Sequence, residues 1–126
     1  MENEINISEE FGANDSRTQR FSVYIPNKDR NGKSVQQERW VNEALTLLSE
    51  ICGGATAMPP VRGAWFNPDS QILIIEEPVL VYTFIEPEAF ARRLGEIVAL
   101  VQKIGKETNQ GQMAIEFDGV LYLIDL

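Results

Sequence analysis

Apolar positions divide the chain into segments of strand and helix period. Phe21, Val23 and Ile25 alternate with Ser22 and Tyr24, as in a strand with one buried face, and Pro26 stops the run. Asn27-Lys28-Asp29-Arg30-Asn31-Gly32 follows as a polar turn. Ser34 and Gln37 have the spacing of a capping box, which places a helix start near residue 35. Val41, Ala44, Leu45, Leu48, Ile51 and Cys52 then form a stripe at helical spacing. Gly53-Gly54 supplies the left-handed stop.

Residues Ala55 to Pro60 read as a loop and Val61 to Phe66 as a strand. Asn67-Pro68-Asp69-Ser70 is a turn signal between apolar runs and predicts a hairpin. The return strand, Gln71 to about Ile85, is too long to be unbroken. Glu76-Glu77-Pro78 marks a bulge or an edge in it, because proline cannot donate to a ladder. Glu86-Pro87-Glu88 opens a second helix with proline at its first position, and Phe90, Leu94, Ile97, Val101 and Ile104 give its apolar stripe. Gly105 is its expected C-cap. Asp118-Gly119 between Met113–Phe117 and Val120–Ile124 is a tight-hairpin signal, so the last segment is one strand or two short ones. Residues 1–17 have no period and read as a flexible acidic lead-in to a single domain over 18–126.

The order strand, helix, strand, strand, helix, strand predicts an α+β fold of the ferredoxin-like (α/β plait) type. Its two helices cover one face of an antiparallel sheet. The other face stays open. Roughly half of Tyr24, Trp65, Phe66, Tyr82, Phe84 and Tyr122 should point to it by strand alternation, making an interaction surface. A homodimer packed sheet on sheet, or a ligand cleft on that face, is the expectation.

Composition narrows the chemistry. The chain of 126 residues has no histidine, which removes Ser-His-Asp and Cys-His catalysis, histidine bases and histidine-ligated metals. Its one cysteine, Cys52, excludes an intrachain disulfide and reads as packed core. No metal and no cofactor is expected. The net charge is −8, from 11 basic and 19 acidic residues, and Glu2, Glu4, Glu9, Glu10 and Asp15 carry five of the acids before the first arginine. No basic footprint for nucleic acid appears. The longest apolar runs, Ile72–Ile75 and Val79–Ile85, fall far short of the ~20 residues of a membrane helix. With neither a basic n-region nor an apolar h-region at the start, a cytoplasmic protein is expected.

The unusual stretch runs from Gly53 to Trp65. Gly53, Gly54 and Thr56 allow close backbone approach to a ligand, Arg62 has the guanidinium to hold a carboxylate or phosphate, and Trp65 a ring to stack on. The competing reading is a helix C-cap, a rigid Pro-Pro connector and a packed tryptophan. Glu77 or Tyr82 is the candidate acid–base residue. Their plain alternative is a solvated edge strand, and adjacent Glu76 and Glu77 point to opposite faces of a regular strand. Arg92-Arg93 reads as a solvated face paired with Glu88 or Glu96.

Gly53, Gly54, Thr56, Gly63 and Trp65, with Glu77 on the return strand, make up a G-G-x-T…G-x-W segment. In it the chain resembles small uncharacterised bacterial ferredoxin-like proteins over roughly residues 20–86. The resemblance implies a fold and no activity. The leading functional expectation is a binding or interaction module without catalysis, acting as a homodimer on a small anionic ligand or a protein partner. The alternative is a cofactor-independent dimeric plait enzyme catalysing proton transfer or isomerisation on a small anionic substrate.

Overall fold

Strand alternation and helical stripes sort the chain onto two sides of one sheet. The computed structural model describes residues 4–126, so Glu2 lies outside the described residues. In chain order the elements are α1 (Ile7–Phe11), β1 (Arg20–Ile25), α2 (Gln37–Cys52), β2 (Thr56–Ala57), β3 (Gly63–Asn67) and β4 (Ile72–Glu76). They continue with β5 (Val79–Phe84), α3 (Pro87–Arg92), α4 (Leu94–Glu107), β6 (Gln112–Phe117) and β7 (Val120–Asp125). Five strands form an antiparallel sheet in the order β2-β5-β1-β6-β7, while β3 and β4 pair only with each other.

The core draws on one set of alternate strand positions. Phe21, Val23 and Ile25 of β1, Val79 and Val81 of β5 and Met113 of β6 are buried together with Trp40, Ala44, Leu48, Ile51 and Cys52 of α2. Phe90 of α3 and Ile97, Val101 and Ile104 of α4 complete it. Both helical layers therefore lie on one face, and the protein is an α+β fold. Cys52 is core, as expected. Leu94, assigned to the buried stripe, is instead exposed, because Arg93 breaks the second helix into α3 and α4.

Several local signals resolve differently from their sequence reading. The capping box does not form: Gln36 is the N-cap without a side-chain bond. The Gln37 amide instead donates to the Ile25 and Glu77 carbonyls, each at 3.0 Å. A tertiary pair of acceptors has outcompeted the local one. Gly105 is not a C-cap either. The α4 helix continues to Thr108, and Gly105 sits where an added Cβ would overlap Leu126 and come within 2.8 Å of Met113. Gly53 does cap α2, at φ 90°. Asp118 and Gly119 turn with φ 53° and 83°, so the last segment is a hairpin.

The middle hairpin is the main departure. The expected loop at residues 55–60 contains β2, which pairs Thr56 with Tyr82 and Ala57 with Val81 at one edge of the sheet. The expected strand Val61–Phe66 becomes β3, outside the main sheet. From Ala57 to Gly63 the outgoing strand takes six steps, whereas from Val81 to Glu76 the returning strand takes five. One extra residue thus sits beside Pro59-Pro60, opposite Pro78. Bonds from Met58 N to Leu80 O (2.9 Å) and Val61 N to Pro78 O (3.0 Å) carry the ladder across. Three prolines without N–H groups and one extra residue break the regular ladder here, and beyond the break β3 and β4 pair as a separate two-stranded sheet. This pair is the arm of the fold. The break at Glu76-Glu77-Pro78 is where the chain leaves the arm and enters the sheet.

The turn after β1 offers a pH test. Asp29 Oδ1 accepts from the Lys33 amide at 2.9 Å and the Asn31 amide at 2.8 Å. The Lys33 amide, then the Asn31 amide and the Asn109 side chain, hold its pKa below the ordinary 3.8. A depressed carboxylate stabilises the fold above its unfolded pKa and gives that contribution up as pH falls through the folded one. Protection of the Asn31 and Lys33 amides, taken relative to their intrinsic exchange rates at each pH, is therefore expected to fall below pH 3.8 in the wild type. Asp29→Asn, which keeps Oδ1 but does not titrate, should show no such pH-dependent loss of protection.

Candidate functional site

The alternate strand positions not used by the core project from the other face of the sheet, which no helix covers among the described residues. Register fixes their neighbours. Ser22 lies opposite Tyr82 on one side and Glu116 on the other. Tyr82 lies opposite Thr56, and Glu116 opposite Leu121. A row Thr56–Tyr82–Ser22–Glu116–Leu121 therefore crosses all five strands. Leu80 and Tyr24 are paired beside it, as are Phe84 and Arg20 on the other flank.

Within this patch the side chains are already organised. The Arg20 guanidinium lies over the Tyr82 ring at 4.9 Å, and Phe84 meets that ring edge-on at 6.2 Å. Ser22 is buried at the centre, Tyr82, Tyr24, Leu80 and Glu116 are half-buried, and Phe84 and Arg20 are exposed. Among the described residues Arg20 and Glu116 make no ion pair. Arg20 is two residues from Ser22 along β1, about 7 Å, and Glu116 is about 5 Å across from it. Around the small Ser22 hydroxyl the face thus presents a cation along the strand and an anion across from it, beside aromatic rings, with the Asp125 carboxylate at the far corner of the same face. That arrangement suits a zwitterion carrying a flat ring system.

The candidates from the sequence are dispersed. Thr56 and Tyr82 meet as register neighbours on this face. Gly53 and Gly54 lie at the end of α2, where Thr83 Oγ1 donates to the Gly54 carbonyl at 2.6 Å. Trp65 is on the arm and Arg62 just precedes β3, so neither faces the sheet patch. Glu77 is at the break, its N–H donating to Asn27 Oδ1 and its carbonyl accepting from Gln37. Five residues of extended chain, about 16 Å, separate Glu77 from Tyr82. Of the six strand aromatics, Tyr24, Tyr82 and Phe84 are on the open face. Tyr122 pairs with Ile115 on the helix side, and Trp65 and Phe66 are in the arm.

Arg20, Ser22 and Glu116 did not stand out in the sequence. Their only signal was alternation with Phe21, Val23, Ile115 and Phe117. Elsewhere, Arg93 grips Glu96 through two hydrogen bonds of 2.8 and 3.0 Å, which raise the pKa of the arginine and lower that of the glutamate. A groove of about 390 Å³ between α2 and α4 is lined by Asn42, Glu43, Thr46, Leu47, Glu50 and Leu100. A smaller one of about 160 Å³ lies beside Arg17. Among the described residues no three Cys, Asp or Glu side chains gather where a metal ion could be held.

Fold and face together define an antiparallel α+β domain with one open, aromatic sheet face. No protein-family model and no curated protein sequence matches the chain. Among solved structures it is similar to a phage SAM lyase in complex with S-methyl-5'-thioadenosine, at 17% identity and a TM-score of 0.60. That likeness covers 86% of this chain and 89% of the other. The apo state of a phage SAM lyase is similar at 16% identity and a TM-score of 0.57, over 87% and 90% of the two chains. At this identity the likeness shows the fold. In each case it spans both chains almost end to end. Among the described residues no helix is long and apolar enough to cross a membrane.

Proposed function

We propose that the chain binds an adenosyl thioether or sulfonium compound on the open sheet face and acts as a cofactor-independent enzyme, a lyase in place of the proton-transfer or isomerisation enzyme on a small anionic substrate that the sequence suggested. The observation that carries this reading is the end-to-end fold likeness to a lyase whose bound ligand is S-methyl-5'-thioadenosine. In the same reading the four strands β2-β5-β1-β6 form a ferredoxin-like plait. The arm is an insertion between its second and third strands, and β7 an addition at its edge.

The face has chemistry for each part of S-adenosylmethionine. Phe84 and Tyr82 offer rings to the adenine, and Arg20 offers two N–H groups to the carboxylate. Glu116 suits the α-ammonium rather than the sulfonium. The sulfonium charge disappears during C–S cleavage, so gripping it would stabilise the substrate more than the transition state. With no histidine in the chain, the fitting route is internal displacement. One oxygen of the substrate's own carboxylate attacks Cγ, the Cγ–S bond breaks, and its electron pair neutralises the sulfur. S-methyl-5'-thioadenosine leaves with a four-carbon lactone, and no proton is transferred. Orientation and removal of water then do the catalytic work, with Arg20 holding one oxygen while the other attacks.

Calorimetric titration with S-methyl-5'-thioadenosine, followed by incubation with S-adenosylmethionine and chromatography of the products, tests this. Saturable binding and release of the thioether above the protein-free rate are expected. Binding without release would favour the binding-module reading. No binding of either compound at millimolar concentration would overturn the proposal.

A further inference from the structure

The β3–β4 arm has two apolar faces and covers neither. Register puts Trp65 with Ile74, and Asn67 with Ile72, on one face; Ala64 with Ile75, and Phe66 with Leu73, share the other. Trp65, Phe66, Ile72, Leu73 and Ile75 are 43–57% exposed. Among the described residues no helix or further strand packs along the arm. A two-stranded hairpin is marginal in water by itself.

A second bare surface lies at the far edge of the sheet. Val120, Leu121, Tyr122 and Leu123 of β7 are 48–57% exposed, and one backbone edge of β7 is unpaired. Edge strands of monomeric proteins normally carry lysine, proline or inward charges that discourage pairing. Here Glu76 is the sole charge in β3 and β4, and Asp125 the sole charge in β7.

We propose that the arm of one copy of the chain packs on β7 of a second copy. The arm cannot reach its own β7, since it springs from the β2 edge and β7 is four strand spacings away, about 19 Å. An unrelated partner would cover one of the two surfaces and leave the other bare. Self-association covers both with one contact. The arm face with Phe66, Leu73 and Ile75 exposes on the order of 300 Å² and the β7 face with Leu121 and Leu123 on the order of 200 Å², so a two-fold pair that makes the contact twice buries on the order of 1,000 Å². With their polar rims these approach the ~1,200 Å² at which stable interfaces begin. A two-fold pair exchanges arms reciprocally, and a ring passes each arm to the next copy. Both bury the same two surfaces.

Sedimentation of the full chain from 1 to 100 µM, without ligand, tests the proposal. The wild type is expected to associate. Phe66→Ser/Leu73→Ser in the arm and Leu121→Lys/Leu123→Lys in β7 should each sediment as monomers with native circular dichroism. Mixed, the two variants should form a one-to-one complex, since each keeps the half that the other lacks. A wild type that stays monomeric throughout, an arm variant that associates unchanged, or a mixture that stays monomeric would overturn it. Should either variant fail to fold, Phe66→Cys mixed with Leu123→Cys reads the same contact. A disulfide-linked pair on mild oxidation is expected, and its absence would count against the contact. None of these readouts depends on the proposed ligand, so the two readings fail separately.

Discussion

Trp40→Ala is expected to remove about 3–5 kcal/mol of folding stability. Trp40 is 2% exposed on the sheet-facing side of α2, the largest side chain in the core. Arg39 and Lys103 lie over its ring at 4.3 and 5.8 Å, so its ring face is covered by cations from two helices. Truncation loses the transfer energy of the indole and leaves a cavity between α2, α4 and the sheet that the backbone of neither helix can fill. For a domain of this size the midpoint should fall by about 10–20 °C. Calorimetric melting checks this, with Trp40→Phe as the control that should keep more than half of the loss. A drop below about 1 kcal/mol would mean that the helical layer is packed differently.

Glu116→Gln and Arg20→Ala should separate two ligands that differ in the amino-acid half and in the charge on sulfur. S-adenosylmethionine carries an ammonium and a carboxylate that S-methyl-5'-thioadenosine lacks. Loss of one charge-assisted hydrogen bond costs about 1.5–3 kcal/mol, so each variant should bind S-adenosylmethionine roughly 10- to 100-fold more weakly. Affinity for the thioether should stay within about twofold in Glu116→Gln, which leaves the adenine's rings untouched. Arg20→Ala also strips the guanidinium from the Tyr82 ring and should cost the thioether some affinity, less than it costs S-adenosylmethionine. Phe84→Ala should weaken both ligands. Parallel calorimetric titrations read all of these, and equal losses for both ligands in Glu116→Gln would contradict the role given to that carboxylate.

The periodic parts of the fold were plain in the sequence. Phe21-x-Val23-x-Ile25, the α2 stripe ending at Gly53 and the Asp118-Gly119 turn each carry a local signal strong enough to survive in the structure. What was hidden depends on partners far along the chain. The edge strand β2 is two residues long, too short for any period, and exists because β5 lies beside it. Nothing local distinguishes a hairpin inside the sheet from one separated from it by Pro59-Pro60 and Pro78. The capping box at Ser34 lost to acceptors on Ile25 and Glu77, and Gly105 is explained by Met113 and Leu126 rather than by a helix end.

The candidate site was obscured for the same reason. In the sequence Tyr82 carries the signal of a strand aromatic and Thr56 that of a loop hydroxyl, two unrelated signals. That they are neighbours, with Ser22 and Glu116 continuing the row, is a property of strand order β2-β5-β1-β6-β7. Arg20 and Glu116 stand 96 positions apart and come together only through the register Ser22–Glu116. The Gly-Gly to Trp65 stretch drew notice for its composition. In the structure it is divided between a helix end, an edge strand and the arm.

Amide chemical shifts recorded while S-methyl-5'-thioadenosine is added to labelled protein test the location of the site most directly. Saturable shifts are predicted at Tyr24 and Ser22 of β1, at Tyr82 and Phe84 of β5, and at Glu116 of β6. Shifts confined to Asn42, Thr46 and Leu100 in the groove between α2 and α4, or to the segment around Arg17, would contradict the assignment of the open sheet face.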